Sequence, residues 1–107
     1  MRIEQTISGG GSALVSPLAG VHLRILLGAT AYSSITIEPP TGATQRMVVT
    51  VKQDGAGGRS IVSTWTNVRF PGGTYTASSG ANAIDKVTLD WNNADAKWDA
   101  SVAFNLS

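Results

Sequence analysis

The sequence predicts an all-β domain, a two-sheet antiparallel sandwich of about eight short strands with jelly-roll-like connections. Three observations lead there. Apolar and polar residues alternate along most of the chain, most cleanly where Trp98, Ala100, Val102, Phe104 and Leu106 interleave with Lys97, Asp99, Ser101, Ala103 and Asn105. Glycine, proline, asparagine and aspartate break that alternation about every eight to twelve residues, the spacing of short strands joined by turns. No window carries a helical apolar period with capping residues at its ends.

In chain order, residues 2–7 alternate, with Ile3, Gln5 and Ile7 on one face and Arg2, Glu4 and Thr6 on the other, as an edge strand with a charged outer side would. Gly9-Gly10-Gly11-Ser12 follows as a surface loop or a flexible joint, so residues 1–12 are also a candidate N-terminal arm reaching a neighbouring subunit. Ala13-Leu14-Val15 is a short apolar piece ahead of Ser16-Pro17. Val21, Leu23, Ile25 and Leu27 then form the inner side of a half-buried strand. After a Gly28-Ala29-Thr30 turn, residues 32–38 point Ile35 and Ile37 inward, and Pro39-Pro40-Thr41-Gly42 ends the strand because prolines cannot continue a ladder.

The stretch from 47 to 74 organises the rest. Met47, Val49 and Val51 share one face, and Asp54-Gly55-Ala56-Gly57-Gly58 offers a turn. Residues 60–65 resume a β-rich run, so the segment predicts a hairpin. Val68-Arg69-Phe70 is a second short run, closed by Pro71-Gly72-Gly73. Residues 75–81 form a loop, and residues 83–91 form a strand with Val87, Leu89 and Trp91 on one side. Asn92-Asn93-Ala94-Asp95 is a turn, and residues 97–106 make the closing strand, regular enough to be paired centrally.

Composition narrows the function. The 107 residues form one domain, 1–107. Charged residues are 14% of the chain against about 25% in an average domain, which favours a protein that assembles with others. The formal charge of +1 supplies no field to gather nucleic acid or an anionic membrane. Cysteine is absent, which removes disulfides, thiolate zinc sites and cysteine nucleophiles. No apolar run approaches the length of a membrane span, and Glu4 and Gln5 interrupt the start where a signal peptide needs an apolar core. A soluble chain made in the cytoplasm is the expectation.

Taken together, Gln53-Asp54-Gly55-Ala56-Gly57-Gly58-Arg59, Phe70-Pro71-Gly72-Gly73, Ala81-Asn82-Ala83-Ile84-Asp85 and Trp91 resemble the small β modules of tailed-bacteriophage virion proteins. These occur in head-decorating proteins, head fibres, tail fibres, collars and baseplates. The resemblance covers roughly residues 47–104, with Phe70 standing where tryptophan is common in the family. It implies a non-enzymatic structural protein of the virion, a capsid decoration or head-fibre protein, that associates with its own copies, as a trimer, and docks on major capsid or tail proteins. Neither a cofactor nor a metal is expected from the residues. A tail-fibre, collar or baseplate component, or a module binding a host glycan or receptor, is the alternative. The residues carrying the resemblance have scaffold roles: Asp54 accepts from the N–H groups of its own turn, Gly55, Gly57 and Gly58 shape that turn, Arg59 is available to a carboxylate such as Asp85, Pro71, Gly72 and Gly73 make the next turn, and Asp85 ties down the loop before its strand.

Competing chemistry is weak. The glycine cluster lacks the Lys-Ser or Lys-Thr and the following helix of a phosphate cradle. Asp90, Asn92, Asn93 and Asp95 bring oxygen ligands together without the spacing or closing glutamate of a calcium loop, so a plain turn is the better reading. His22, the only histidine, has no nucleophile motif beside it. Trp65, Trp91 and Trp98, with Tyr32 and Tyr75, are candidates for a sugar-stacking platform, but two of the tryptophans lie on the apolar face of their strands, which favours core packing.

Overall fold

The structure is a computed structural model that describes residues 4–16, 22–39 and 46–104. It is mostly β, with no α-helix among those residues. Among the described residues there are eight strands: β1 (Glu4–Ile7), β2 (Gly11–Val15), β3 (His22–Leu26), β4 (Tyr32–Ile37), β5 (Arg46–Lys52), β6 (Val68–Arg69), β7 (Ile84–Asn92) and β8 (Lys97–Ala103). A single 3-10 turn, Pro71–Gly73, follows β6. Ile3, Pro17, Val21, Pro40, Thr41, Gly42 and Leu106, which the sequence places in or beside strands, lie outside the described residues.

Six strands form one sheet in the order β1-β3-β5-β7-β8-β6, and β2 and β4 form a second. The first five strands alternate between the two sheets. A strand that re-enters a sheet after crossing to the other and back runs in its original direction, so β1, β3 and β5 are parallel to one another, as are β2 and β4. Only beyond β5 does the sheet turn antiparallel, with β7 against β5 and β8 against β7, while β6 lies parallel to β8. The antiparallel jelly-roll expectation is therefore corrected: the large sheet is mixed.

The hairpin predicted between residues 47–52 and 60–65 is also corrected. Both edges of β5 are occupied, by β3 and by β7. The segment after the glycine turn crosses instead to the other sheet, where Ile61 bridges Tyr32 and Thr66 bridges Thr36. Thr66 donates to Ile35 O at 2.7 Å and accepts from Ile37 N at 3.2 Å.

Most of the predicted inner faces hold, although Trp91 and Val102, placed on inward sets by the sequence, are half-buried and Phe104, past the end of β8, is exposed. Leu23, Ile25, Leu27, Ile35, Ile37, Met47, Val49, Val51, Val87, Leu89, Trp98 and Ala100 are all buried, and with Val15, Trp65, Phe70 and Tyr75 they belong to one cluster fed by both sheets. Burying a side chain of this size contributes about 1.5–3 kcal/mol, so this cluster is the main stabilising term. Side chains also tie the sheets together: Trp98 Nε1 donates to Glu38 O at 3.0 Å and Asn67 Nδ2 to Ile37 O at 3.1 Å. The described part of the candidate arm is built into the sheets, β1 beside β3 and β2 beside β4. The regular closing strand β8 pairs along its length with β7 and over two residues with β6.

Candidate functional site

Because Lys52 lies opposite Ile84, the loop leaving β5 and the loop entering β7 run side by side. Residue 53 continues the inward set of Met47, Val49 and Val51, so a glutamine faces the core at the sheet's end; Gln53 is 2% exposed. Its amide is fully used. Nε2 donates to Arg59 O at 2.8 Å and to Ser78 O at 2.9 Å, and Oε1 accepts from Arg59 N at 2.9 Å. One side chain thus holds three backbone groups of two loops.

The loops also join through their backbones. Gln53 N donates to Ala83 O, Asn82 N to Asp54 O, and Gly58 N to Ser79 O at 2.7 Å. That approach requires glycine at 57: its φ is +70°, and a Cβ there would meet Ser79 O and Ala81 N at 2.7 Å. Asp54 Oδ1 accepts from Ala56 N and Gly57 N, both at 3.1 Å, which is the turn expected from the sequence. Arg59 Nε donates to Asp54 Oδ2 at 2.9 Å, and this bond, the largest influence, holds the Asp54 carboxyl below its ordinary range. The suggested Arg59 to Asp85 pair is replaced by this nearer one, because Asp85 points into the core from β7 while Arg59 stays in the loop.

Asp85 is 1% exposed. Its Oδ2 accepts from Tyr75 OH at 2.7 Å and from Ser78 N at 2.8 Å, so it ties down the loop before its strand as expected. Burial, reinforced by the Asp85 hydrogen bond and charge, pushes the Tyr75 hydroxyl far above the usual phenol range. The Tyr75 ring stacks near-parallel with Phe70 at 5.4 Å and Phe104 at 6.1 Å, and meets Trp65 edge-on at 5.9 Å.

Asp54, Gly55, Gly57, Gly58, Arg59 and Asp85 therefore come together around the clamped loops. Pro71, Gly72 and Gly73 do not join them. They make a separate turn, closed by Gly73 N donating to Phe70 O at 2.9 Å, and reach the clamp through the Phe70 and Tyr75 rings. Sequence reading placed Gln53 in the resembling motif but gave it no role, although the two-residue period that placed Val51 inward also places Gln53 inward. It also missed Arg69, which donates to Asp99 Oδ1 at 2.7 Å and Asp95 Oδ2 at 2.9 Å.

The β7–β8 turn is held by Asn92 Oδ1 accepting from Asp95 N at 3.1 Å. Trp65 and Trp98 are in the core, while Trp91 is half-buried, meets Trp98 edge-on at 5.3 Å, and donates its indole N–H to Asn93 Oδ1. Among the described residues no His, Cys, Asp and Glu group has metal-binding geometry, and no helix is long and apolar enough to cross a membrane. Compared with models of protein families, with curated proteins and with solved structures, the chain matches none.

Proposed function

We propose that the chain is a non-enzymatic structural protein of a tailed-phage virion that self-associates, three copies to an assembly, and decorates the head or forms a head fibre. One observation carries this reading. The buried polar side chains Gln53 and Asp85 both bond to backbone of the flanking loops, so the residues that carry the family resemblance and their neighbours act as a clamp. Groups engaged in this way stiffen a scaffold.

Two further features support self-association. Among the described residues, strand β2 ends its sheet with the sequence GSALV, free of the charges and prolines that usually blunt an edge, and its Leu14 is 70% exposed. Phe104 is 55% exposed at the end of β8. We also read the two sheets as the layers of a sandwich, on the ground that their buried residues form one cluster. Burial of two of the three tryptophans weighs against a sugar-stacking platform.

Electron cryomicroscopy of tailed-phage particles from the source of this sequence tests the proposal. The expected result is density for the chain at symmetry-related positions on the head. Its presence only at the tail tip, with glycan binding lost on substitution of Trp91, would replace this reading with that of a receptor-binding module.

A further inference from the structure

The formal charge of +1 hides an uneven surface. Arg46, Arg59 and Arg69 are paired with Asp90, with Asp54, and with Asp95 and Asp99. Asp85 is buried among its own partners. That accounts for most of the acidic side chains and leaves several cations with no ion pair among the described residues.

Three of these share one surface. Arg24, Lys52 and Lys86 sit on β3, β5 and β7, which are adjacent in the large sheet. Each lies between inward-facing neighbours, Leu23 and Ile25, Val51 and Gln53, or Asp85 and Val87, so all three point away from the core. Register places Arg24, Thr50 and Lys86 in one row across the strands and Lys52 two residues along β5 from that row. Strand spacing and rise put the three backbones within about 10 Å of one another. Between and beside them lie Val48, Thr50, Leu26 and Thr88, half-buried and uncharged.

We infer that the outer face of β3, β5 and β7 is a docking surface for an acidic protein surface, whose carboxylates meet Arg24, Lys52 and Lys86. This rests on the reading of the chain as a scaffold that docks on a larger assembly. Charge decides the occupant. Two copies meeting through this face would set like charges against each other, which costs several kcal/mol in a typical interface and excludes a twofold self-contact here. Nucleic-acid binders commonly neutralise about 6–10 phosphates and stack bases on aromatic rings. Three cations with no aromatic side chain among these central residues fall short of that, whereas a small cationic set around Val, Leu and Thr suits a protein partner.

The test uses the full chain and immobilised poly-L-glutamate as the acidic probe, with duplex DNA and anionic-lipid vesicles in parallel. The wild type is expected to bind polyglutamate at low salt and to release as salt rises. The R24Q/K52Q/K86Q variant is expected to bind at least about tenfold more weakly, and K97Q, whose cation lies at the start of β8, to stay within about twofold. R24Q/K86Q, which alters only the two exposed positions and leaves half-buried Lys52 in place, repeats the measurement should the triple variant melt early. Equal binding by wild type and both multiple variants, no binding by the wild type, or tighter binding to DNA or vesicles that the same substitutions abolish would each overturn the inference. Sedimentation on the same samples separates the two readings, because a monomeric wild type that still binds polyglutamate through these residues sinks only the self-association.

Discussion

Replacing Gln53 with leucine isolates the clamp. The change keeps side-chain volume and burial nearly constant while removing all three bonds to Arg59 N, Arg59 O and Ser78 O. Each backbone group left without its partner in a part-buried setting costs about 1 kcal/mol, and the leucine recovers some apolar burial, so a net loss of about 2–3 kcal/mol is expected. For a chain of this length that lowers the melting midpoint by roughly 10–20 °C at fixed protein concentration. Urea unfolding followed by tryptophan fluorescence measures the loss. Amide exchange at Gly58 and Asn82, whose N–H groups bridge the loops, shows whether it is local. A Q53L protein within about 0.5 kcal/mol of wild type, with those amides still protected, would refute the clamp, since surface-like tolerance is incompatible with the loss of three part-buried bonds.

Other predictions follow from the same packing. Gly57→Ala should cost about 1–3 kcal/mol in urea unfolding, because it combines a left-handed backbone with a clash against Ser79 and Ala81, whereas Gly55→Ala, with open space around it, should stay near wild type. Tyr75→Phe should cost about 2 kcal/mol by leaving Asp85 with one donor fewer. Tyr32 and Tyr75 both have hydroxyls raised above the phenol value of 10.0 by burial, so ultraviolet titration should show neither ionising at its ordinary pH in the folded chain. Their stabilising effect is full below the unfolded phenol value and is lost as pH rises, so both should ionise together with unfolding. Asp54 and Asp99 behave oppositely: their arginine partners depress both carboxyls below 3.8, and the stability they add above that value is lost as pH falls through the depressed range. Arg69→Ala should therefore flatten the acid limb of a stability-against-pH curve.

Much of the fold was readable because a two-residue period states which side chains face inward. It identified Leu23, Ile35, Val49, Leu89 and Trp98 as core and located the turns at Gly55 and Pro71. It carries no information on which strand lies alongside. The alternation along β5 reads the same whether its neighbour is β7 or residues 60–65, and parallel pairing of β3 with β5 arises only because the chain crosses between sheets in the interval. The local part of the clamp was equally visible: Asp54 closing its own turn needs only adjacent residues. The partners of Arg59 and Arg69 depend on which loops meet in space. Gln53 and Asp85 stand between these cases, since each continues an inward-facing series that ends on a polar side chain, a pattern that marks a buried hydrogen-bonding group.

Sedimentation equilibrium of the purified chain across micromolar concentrations tests the proposed self-association most directly. The predicted result is a species of three times the 11.1 kDa chain mass, dissociating when Leu14 and Phe104 are both replaced by serine. A wild-type chain that stays at the mass of one copy throughout, with L14S/F104S indistinguishable from it, would contradict self-association.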